Sequence, residues 1–237
     1  MTGETFPAFD ELLRRAWEEP CQSWMEIEAD FIAAVSAFDT EFSRGAMSEG
    51  LYQQKAKYFN DLVVCIIQNC SGKVIATRTK KRSRLFQEID IDMCYPETGD
   101  PIVAAEVKAL GTPPHPKNEY KARRARSDLH KRVREVAFTA TDIKAAYAKP
   151  RPINSFQAWI DVAEPAYASF WAMRVDGPAD LSVVRSILSS LKSYCNGVAA
   201  VIYEPKSSSP TDYAVLSFPE FSMDRTIRDM TQRVISS

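Results

Sequence analysis

Residues 85–93 read LFQEIDIDM and residues 101–110 read PIVAAEVKAL, and these two stretches decide the fold prediction. In the first stretch, acidic and apolar side chains alternate from Glu88 to Met93, which is the pattern of a half-buried strand. The second stretch is apolar until it reaches Glu106. The letters PETGD between them are typical of a turn. We therefore predict an antiparallel hairpin in which both strands carry charged side chains.

The period of the apolar residues changes on either side of this hairpin. Residues 1–72 carry apolar side chains at three- and four-residue steps, whereas residues 73–237 mix strand and helix patterns. We predict one domain of mixed α/β class over 1–237: a central mixed β-sheet flanked by helices, with a helical N-terminal region at 1–72 and an α/β core at 73–237. Within the core we expect a basic helix at 120–148, strands near 73–79, 155–163, 167–175, 198–203 and 213–218, and helices near 179–194 and 222–235.

Charge is nearly balanced over the whole chain but segregated along its length. The 237 residues include 30 Lys and Arg against 31 Asp and Glu, a formal net charge of −1. Residues 73–84 carry six basic groups and no acid, and residues 115–151 carry eleven basic groups against four acids. Residues 85–114, which lie between them, carry one basic group against six acids. A protein with positive charge concentrated in this way can bind a polyanion without being basic overall.

Several classes of protein are excluded by features that the sequence lacks. It has no run of about 20 apolar residues and no basic-then-apolar leader, so we expect a cytoplasmic protein without a membrane segment. Its five cysteines include no CxxC pair, which predicts buried free thiols and no zinc site. Two histidines argue against a His-based metal site, and phosphate-loop, dinucleotide-binding and nucleophile-elbow motifs are missing.

Charged side chains should converge where the two predicted strands lie side by side. Glu88, Asp90 and Asp92 share one face of the first strand, and Glu106 and Lys108 share one face of the second. Carboxylates that lie this close repel one another unless a cation intervenes, and Mg²⁺ prefers oxygen ligands. A lysine beside such a site can orient or deprotonate a water, or stabilise charge that develops on phosphorus.

This arrangement resembles the PD-(D/E)xK nuclease superfamily. The resemblance rests on QEIDI at 87–91 and AEVK at 105–108, in which Glu106 lies sixteen residues after Asp90 and fourteen after Asp92. A helix before the strands and a basic helix after them also suit that fold, so the resemblance implies a restriction-endonuclease-like sheet. The sequence departs from the family pattern at Ile89, where a proline often precedes the first aspartate.

The resemblance assigns roles to individual residues. It implies that Asp90, Glu106 and Lys108 are catalytic, with Lys108 assisting the attacking water. The candidate Mg²⁺ ligands are Asp90, Glu106 and the Val107 carbonyl, with Asp92 as the alternative first acid and Asp61 or Glu49 as a further acid from the preceding helix.

Basic residues flank the proposed metal site on both sides and are predicted to bind DNA phosphates. The predicted DNA-binding residues are Arg78, Lys80, Lys81, Arg82 and Arg84 before the acidic strand, and Arg123, Arg124, Arg126, Lys131, Arg132 and Arg134 after the second strand.

The resemblance implies a Mg²⁺-dependent endodeoxyribonuclease that hydrolyses phosphodiester bonds in double-stranded DNA, most like a type II restriction endonuclease. Such an enzyme is expected to be a homodimer, so that both strands are cut, and to have a cognate DNA methyltransferase in the same system. Two alternatives stay open. One is a repair, recombination or phage-type nuclease of the same fold, and the other is a catalytically inactive DNA-binding protein on that scaffold.

Overall fold

A six-stranded mixed sheet separates two layers of helices in the computed structural model, which describes residues 5–116, 123–148 and 155–237. The strand order follows the chain, β1 to β6. The first three strands form an antiparallel meander, β3, β4 and β5 run parallel, and β6 is antiparallel to β5. The elements are α1 (Pro7–Glu18), α2 (Trp24–Ser43), α3 (Glu49–Tyr52), α4 (Lys55–Ser71), β1 (Ala76–Arg82), β2 (Glu88–Tyr95), β3 (Val103–Leu110), α5 (Arg126–Tyr147), α6 (Phe156–Val162), β4 (Ala166–Arg174), α7 (Pro178–Leu191), β5 (Gly197–Pro205), β6 (Tyr213–Leu216), a 3₁₀ turn (Pro219–Phe221) and α8 (Met223–Ile235).

The ends of the N-terminal helices follow from local sequence signals. Ser23 and Glu26 form a capping box at the start of α2, in which the Ser23 backbone N–H donates to the Glu26 carboxylate at 2.6 Å. α4 ends at Gly72, which adopts a left-handed φ of 66° that a side chain would disfavour. These stop signals set the lengths of the helices that cover one face of the sheet.

The sheet has a hydrophobic core on each face. Helices α1, α2, α4 and α8 cover one face with large buried side chains such as Phe38 and Phe59; we call this the N-terminal layer. Helices α5 and α7 cover the other face with residues such as Leu129 and Leu188, which pack against Trp171 of β4; we call this the α5–α7 layer. A sheet buried on both faces explains why β4 is apolar at nearly every position.

The structure confirms the mixed α/β class, the helical N-terminal region, the hairpin and the sheet flanked by helices. The strand predicted near 155–163 is wrong, because this stretch forms α6. The Ser155 hydroxyl caps that helix by accepting the Ala158 N–H at 3.1 Å, and Ile160 is its one buried residue. The basic helix is observed over Arg126–Tyr147, while the predicted stretch at 120–122 lies outside the described residues. Within the described ranges, no helix has the length and apolar character needed to cross a membrane.

The prediction of five free thiols is wrong for one pair of cysteines. Cys21 and Cys70, which are 49 positions apart in sequence, form a disulfide with Cα atoms 4.4 Å apart. Cys21 follows the end of α1 and Cys70 lies in the last turn of α4, where the Asn69 amide also donates to the Ala16 carbonyl. The other three cysteines are buried free thiols, as predicted: Cys65, Cys94 and Cys195.

Candidate active site

Asp92, Glu106 and Lys108 lie together where β2 meets β3. The Lys108 ammonium is 2.8 Å from Glu106 Oε2 and 3.4 Å from Asp92 Oδ2. The backbone N–H of Val107 donates to the same Asp92 oxygen at 2.9 Å. Two carboxylates and one ammonium from neighbouring strands therefore share a single small site.

A local irregularity of β2 places Asp92 in this site. Ile91 packs in the core of the α5–α7 layer, whereas Met93 packs in the core of the N-terminal layer, although regular alternation would put both on one face. The pairing with β1 omits Arg78, which stands opposite Asp92 and has a φ of 52°. The pairing with β3 stops at Met93, so the Asp92 carboxylate accepts the Val107 N–H in place of a backbone carbonyl.

Glu106 is held from its other side by β4. The glutamate is 6% exposed, and its Oε1 accepts a hydrogen bond from the Tyr167 hydroxyl at 3.0 Å. Tyr167 is fully buried in the α5–α7 layer, two residues before Ser169, which pairs with Glu106 across the parallel strands. Tyr167 fixes one carboxylate oxygen and leaves the other facing Lys108.

The charges of the site keep Lys108 protonated. Burial alone would lower the pKa of Lys108, but the negative charges of Glu106 and Asp92 outweigh it, so the pKa lies above its ordinary value. Burial, followed by the neighbouring Glu106 charge, raises the pKa of Tyr167 well above its usual range, so this hydroxyl remains a donor. In this arrangement Lys108 can stabilise negative charge, but it holds no lone pair with which to accept a proton from water.

The site fits a hard cation through two carboxylates. Mg²⁺ is commonly bound by one or two carboxylates with water and substrate phosphates completing its shell. The Lys108 ammonium lies between one oxygen of Asp92 and one of Glu106. The two carboxylates therefore already bind one positively charged group at this position. Within the described part of the chain, no group of three or more His, Cys, Asp or Glu side chains could hold a metal ion. A Mg²⁺ ion here would depend on Asp92 and Glu106, with the Val107 carbonyl as the predicted third protein ligand.

The structure does not bring Asp90 to this site, so we revise the first acid from Asp90 to Asp92. Ile89 and Ile91 pack against the α5–α7 layer, so the exposed Asp90 between them lies on the opposite face of β2. Glu106 contacts Tyr167 on the α5–α7 side. Asp90 and Glu106 therefore lie on opposite faces of the sheet, because the alternation of β2 reverses at Asp92.

The further acids that the resemblance implied also lie elsewhere. Asp61 is on α4 and forms an ion pair with Lys57 one turn earlier, at 2.5 Å. Glu49 opens α3, which precedes α4 on the same side of the molecule. Because α4 packs in the N-terminal layer, the sheet separates both acids from Glu106.

Three of the predicted DNA-binding residues are used inside the fold. Lys81 is buried, and its ammonium donates to backbone carbonyls of the turn between β2 and β3. The Arg82 guanidinium donates to a carbonyl of α5 and lies 4.9 Å from the Tyr147 ring centroid. Arg126 forms an ion pair with the buried Asp180 at 3.2 Å. Lys81 is consequently removed from the set of candidate phosphate contacts.

The other predicted DNA-binding residues are exposed or half-buried, and several are paired with acids. These pairs are Lys80 with Glu88, Arg123 with Asp128, Arg124 with Asp176, and Lys131 and Arg132 with Glu135. The guanidinium groups of Arg78, Arg84 and Arg134 form no ion pair within 4 Å among the residues that the structure describes. These three arginines are the most available candidates for phosphate contacts.

Tyr167 is the member of the site that sequence reasoning missed. It lies in an apolar strand, 61 residues after Glu106, and no local motif marks it. Only the parallel register of β3 with β4 brings the two side chains together.

In comparisons with known proteins, no family model, no curated protein and no solved structure matches this chain. The proposals below therefore rest on the geometry of the site and on the resemblance in sequence.

Proposed function

We propose that this chain is a Mg²⁺-dependent endonuclease acting on double-stranded DNA, with Asp92, Glu106 and Lys108 as its reacting groups. The observation that carries the proposal is the convergence of these three side chains from two adjacent strands. Within this class, the resemblance favours a type II restriction endonuclease that acts as a homodimer in the cytoplasm, with a cognate methyltransferase.

The order of elements around the site supports the proposal. Helix α4 precedes a three-stranded meander, the ExK residues lie on its third strand, and α5 connects that strand to a parallel neighbour. Exposed arginines flank the site in sequence on both sides, at Arg78 and Arg84 and again at Arg134. Their positive charge would supply the salt-dependent part of DNA affinity.

The chain's own residues have defined tasks in hydrolysis. Water adds to phosphorus as the bond to the ester oxygen breaks, leaving one phosphate end and one hydroxyl end. Mg²⁺ bound by Asp92 and Glu106 would supply an activated water and neutralise charge on the phosphate. Lys108, whose ammonium lies 2.8 Å from Glu106, would stabilise the negative charge that grows on phosphorus, while Tyr167 keeps Glu106 in place.

The proposal is tested by incubating the purified protein with phage DNA and supercoiled plasmid, in Mg²⁺ or in EDTA. We expect Mg²⁺-dependent cleavage into discrete fragments, absent in Glu106→Gln. A smear would contradict sequence specificity, and preferential cutting of branched DNA would indicate a repair or recombination nuclease instead. DNA that is bound but stays intact would indicate an inactive DNA-binding protein, a reading favoured by the ion pairs that Lys108 forms with both carboxylates.

Tyr167→Phe is expected to lower the cleavage rate about tenfold, since a hydrogen bond to a charged group contributes about 1.5–3 kcal/mol. Tyr167 is a positioning residue, so the change should raise the Mg²⁺ concentration needed for half-maximal rate and leave DNA affinity in EDTA unchanged. Both are measured from initial cleavage rates across a Mg²⁺ titration and from fluorescence anisotropy. An unchanged Mg²⁺ concentration for half-maximal rate would show that Tyr167 contributes only to packing of the hydrophobic core and does not position Glu106.

A further inference from the structure

The loop between β1 and β2 presents two large apolar side chains to solvent. Leu85 is 67% exposed and Phe86 is 61% exposed. The Phe86 ring lies 6.1 Å from that of Phe138, which is itself exposed on α5. These three side chains form an apolar surface that the described residues leave uncovered, and we call it the wedge surface.

The backbone beneath the wedge surface is held firmly. Asp142 of α5 is buried, and its carboxylate accepts the Ser83 hydroxyl at 2.5 Å and the N–H groups of Arg84 and Leu85 at 3.0 Å each. The Ser83 oxygen in turn accepts the N–H of Phe86 at 2.7 Å. These four hydrogen bonds hold the loop backbone in a conformation in which the side chains of Leu85 and Phe86 point away from the core.

Positive charge surrounds the wedge surface. Arg84 precedes Leu85 directly, and Arg134 lies one turn before Phe138 on the exposed side of α5. Neither arginine's guanidinium forms an ion pair within 4 Å among the residues that the structure describes. The nearby acids Glu88 and Glu135 are each paired with a basic side chain, Glu88 with Lys80 and Glu135 with Lys131 and Arg132. Apolar side chains flanked by two arginines without ion pairs complement a partner with a charged exterior and an apolar interior.

We propose that the wedge surface binds duplex DNA, with Leu85 and Phe86 inserted between base steps and with Arg84 and Arg134 on the flanking phosphates. Apolar wedges of this kind unstack a step and bend the duplex. The inference rests on the proposed function and deepens it, because it assigns a DNA contact outside the catalytic residues. Phe86 lies six residues before Asp92 in sequence, which at the rise of a strand is at most about 20 Å, so one duplex of about 30 base pairs is long enough to contact both.

The test compares wild type with the double variant Leu85→Ser/Phe86→Ser and with Met25→Ser as a matched control. Met25 is 79% exposed on α2, in the N-terminal layer. Affinity for a mixed-sequence duplex of about 30 base pairs is measured by anisotropy in EDTA, which prevents cleavage. We expect the double variant to bind about tenfold more weakly, the order of one lost stacking contact, while Met25→Ser binds like wild type. A melting curve checks that each variant is folded.

A second measurement reports insertion directly. Closed-circular plasmid is relaxed by a metal-independent topoisomerase in EDTA with each protein at equal occupancy. Wild type should shift the topoisomer distribution, because insertion unwinds the duplex, and the double variant should not.

The outcomes separate the two proposals. Wild type that shows no DNA affinity would overturn both of them. If the double variant binds and unwinds DNA as wild type does, the wedge is overturned and the nuclease proposal stands. If the double variant turns a dimer into a monomer in light scattering while each protomer binds DNA unchanged, the surface is a self-association interface and the wedge is likewise overturned.

Discussion

Asp92→Asn is expected to lower the rate of Mg²⁺-dependent DNA cleavage at least a hundredfold, about the effect of losing one preorganised charged group from an active site. The asparagine carbonyl can still accept the Val107 N–H, which Asp92 binds at 2.9 Å, so the fold should survive. What disappears is the negative charge that faces Lys108 and would bind Mg²⁺. Initial rates on supercoiled plasmid measure the effect.

Asp90→Asn is the matched control for this experiment. It removes the same charge two residues away, on the face of β2 that points away from Glu106. We expect its cleavage rate to stay within about twofold of wild type, because the residue is exposed and does not contact the reacting groups. If Asp90→Asn were inactive and Asp92→Asn active, the site would have to be rebuilt around Asp90.

Asp39→Ala is expected to cost about 3–5 kcal/mol of unfolding free energy, because it would leave a buried lysine without its counter-charge. Asp39 is fully buried on α2 and accepts from the Lys55 ammonium at 2.8 Å, the Tyr213 hydroxyl at 2.7 Å and the Tyr52 hydroxyl at 3.1 Å. These bonds connect α2 with α3, α4 and β6. Urea denaturation monitored by circular dichroism measures the loss.

Two further variants test whether the unpaired charge is the cause. Asp212→Ala breaks an exposed ion pair with Lys206 and should leave stability unchanged within error. Asp39→Leu combined with Lys55→Met removes both charges and should recover much of the stability lost by Asp39→Ala. If the double variant were no more stable than Asp39→Ala, the hydrogen bonds of the tyrosines would matter more than the ion pair.

In the hairpin, the periodicity of apolar residues predicts the strands correctly but not the face on which each side chain lies. Alternation over 85–93 correctly predicts β2, and the apolar run at 101–110 correctly predicts β3. The same alternation wrongly places Asp90 and Asp92 on one face, because it assumes a regular strand. The reversal at Asp92 lies opposite Arg78 of the neighbouring strand, which has a left-handed φ of 52°, and no residue type in β2 indicates it.

The stretch at 155–163 shows the opposite error. Its apolar residues suit a strand as well as a helix, and periodicity over so few positions does not separate the two. The Ser155 hydroxyl caps the first turn, Ile160 packs inward, and the Lys144 ammonium donates to the Ile160 carbonyl at 2.9 Å, so local hydrogen bonding and tertiary contacts together select the helix.

By itself, the sequence determined most of the helices and strands, though not α6, and it determined the segregation of charge and the residue types of the candidate site, since these depend on local patterns of three to ten residues. Only the tertiary structure decided that Asp92 faces Glu106, that Tyr167 supports it and that Lys81 serves the fold. It also decided that Cys21 meets Cys70. The physical reason is common to all four. Each contact joins residues on different elements, and the register and irregularities that align those elements are set by packing of the whole sheet against its helices.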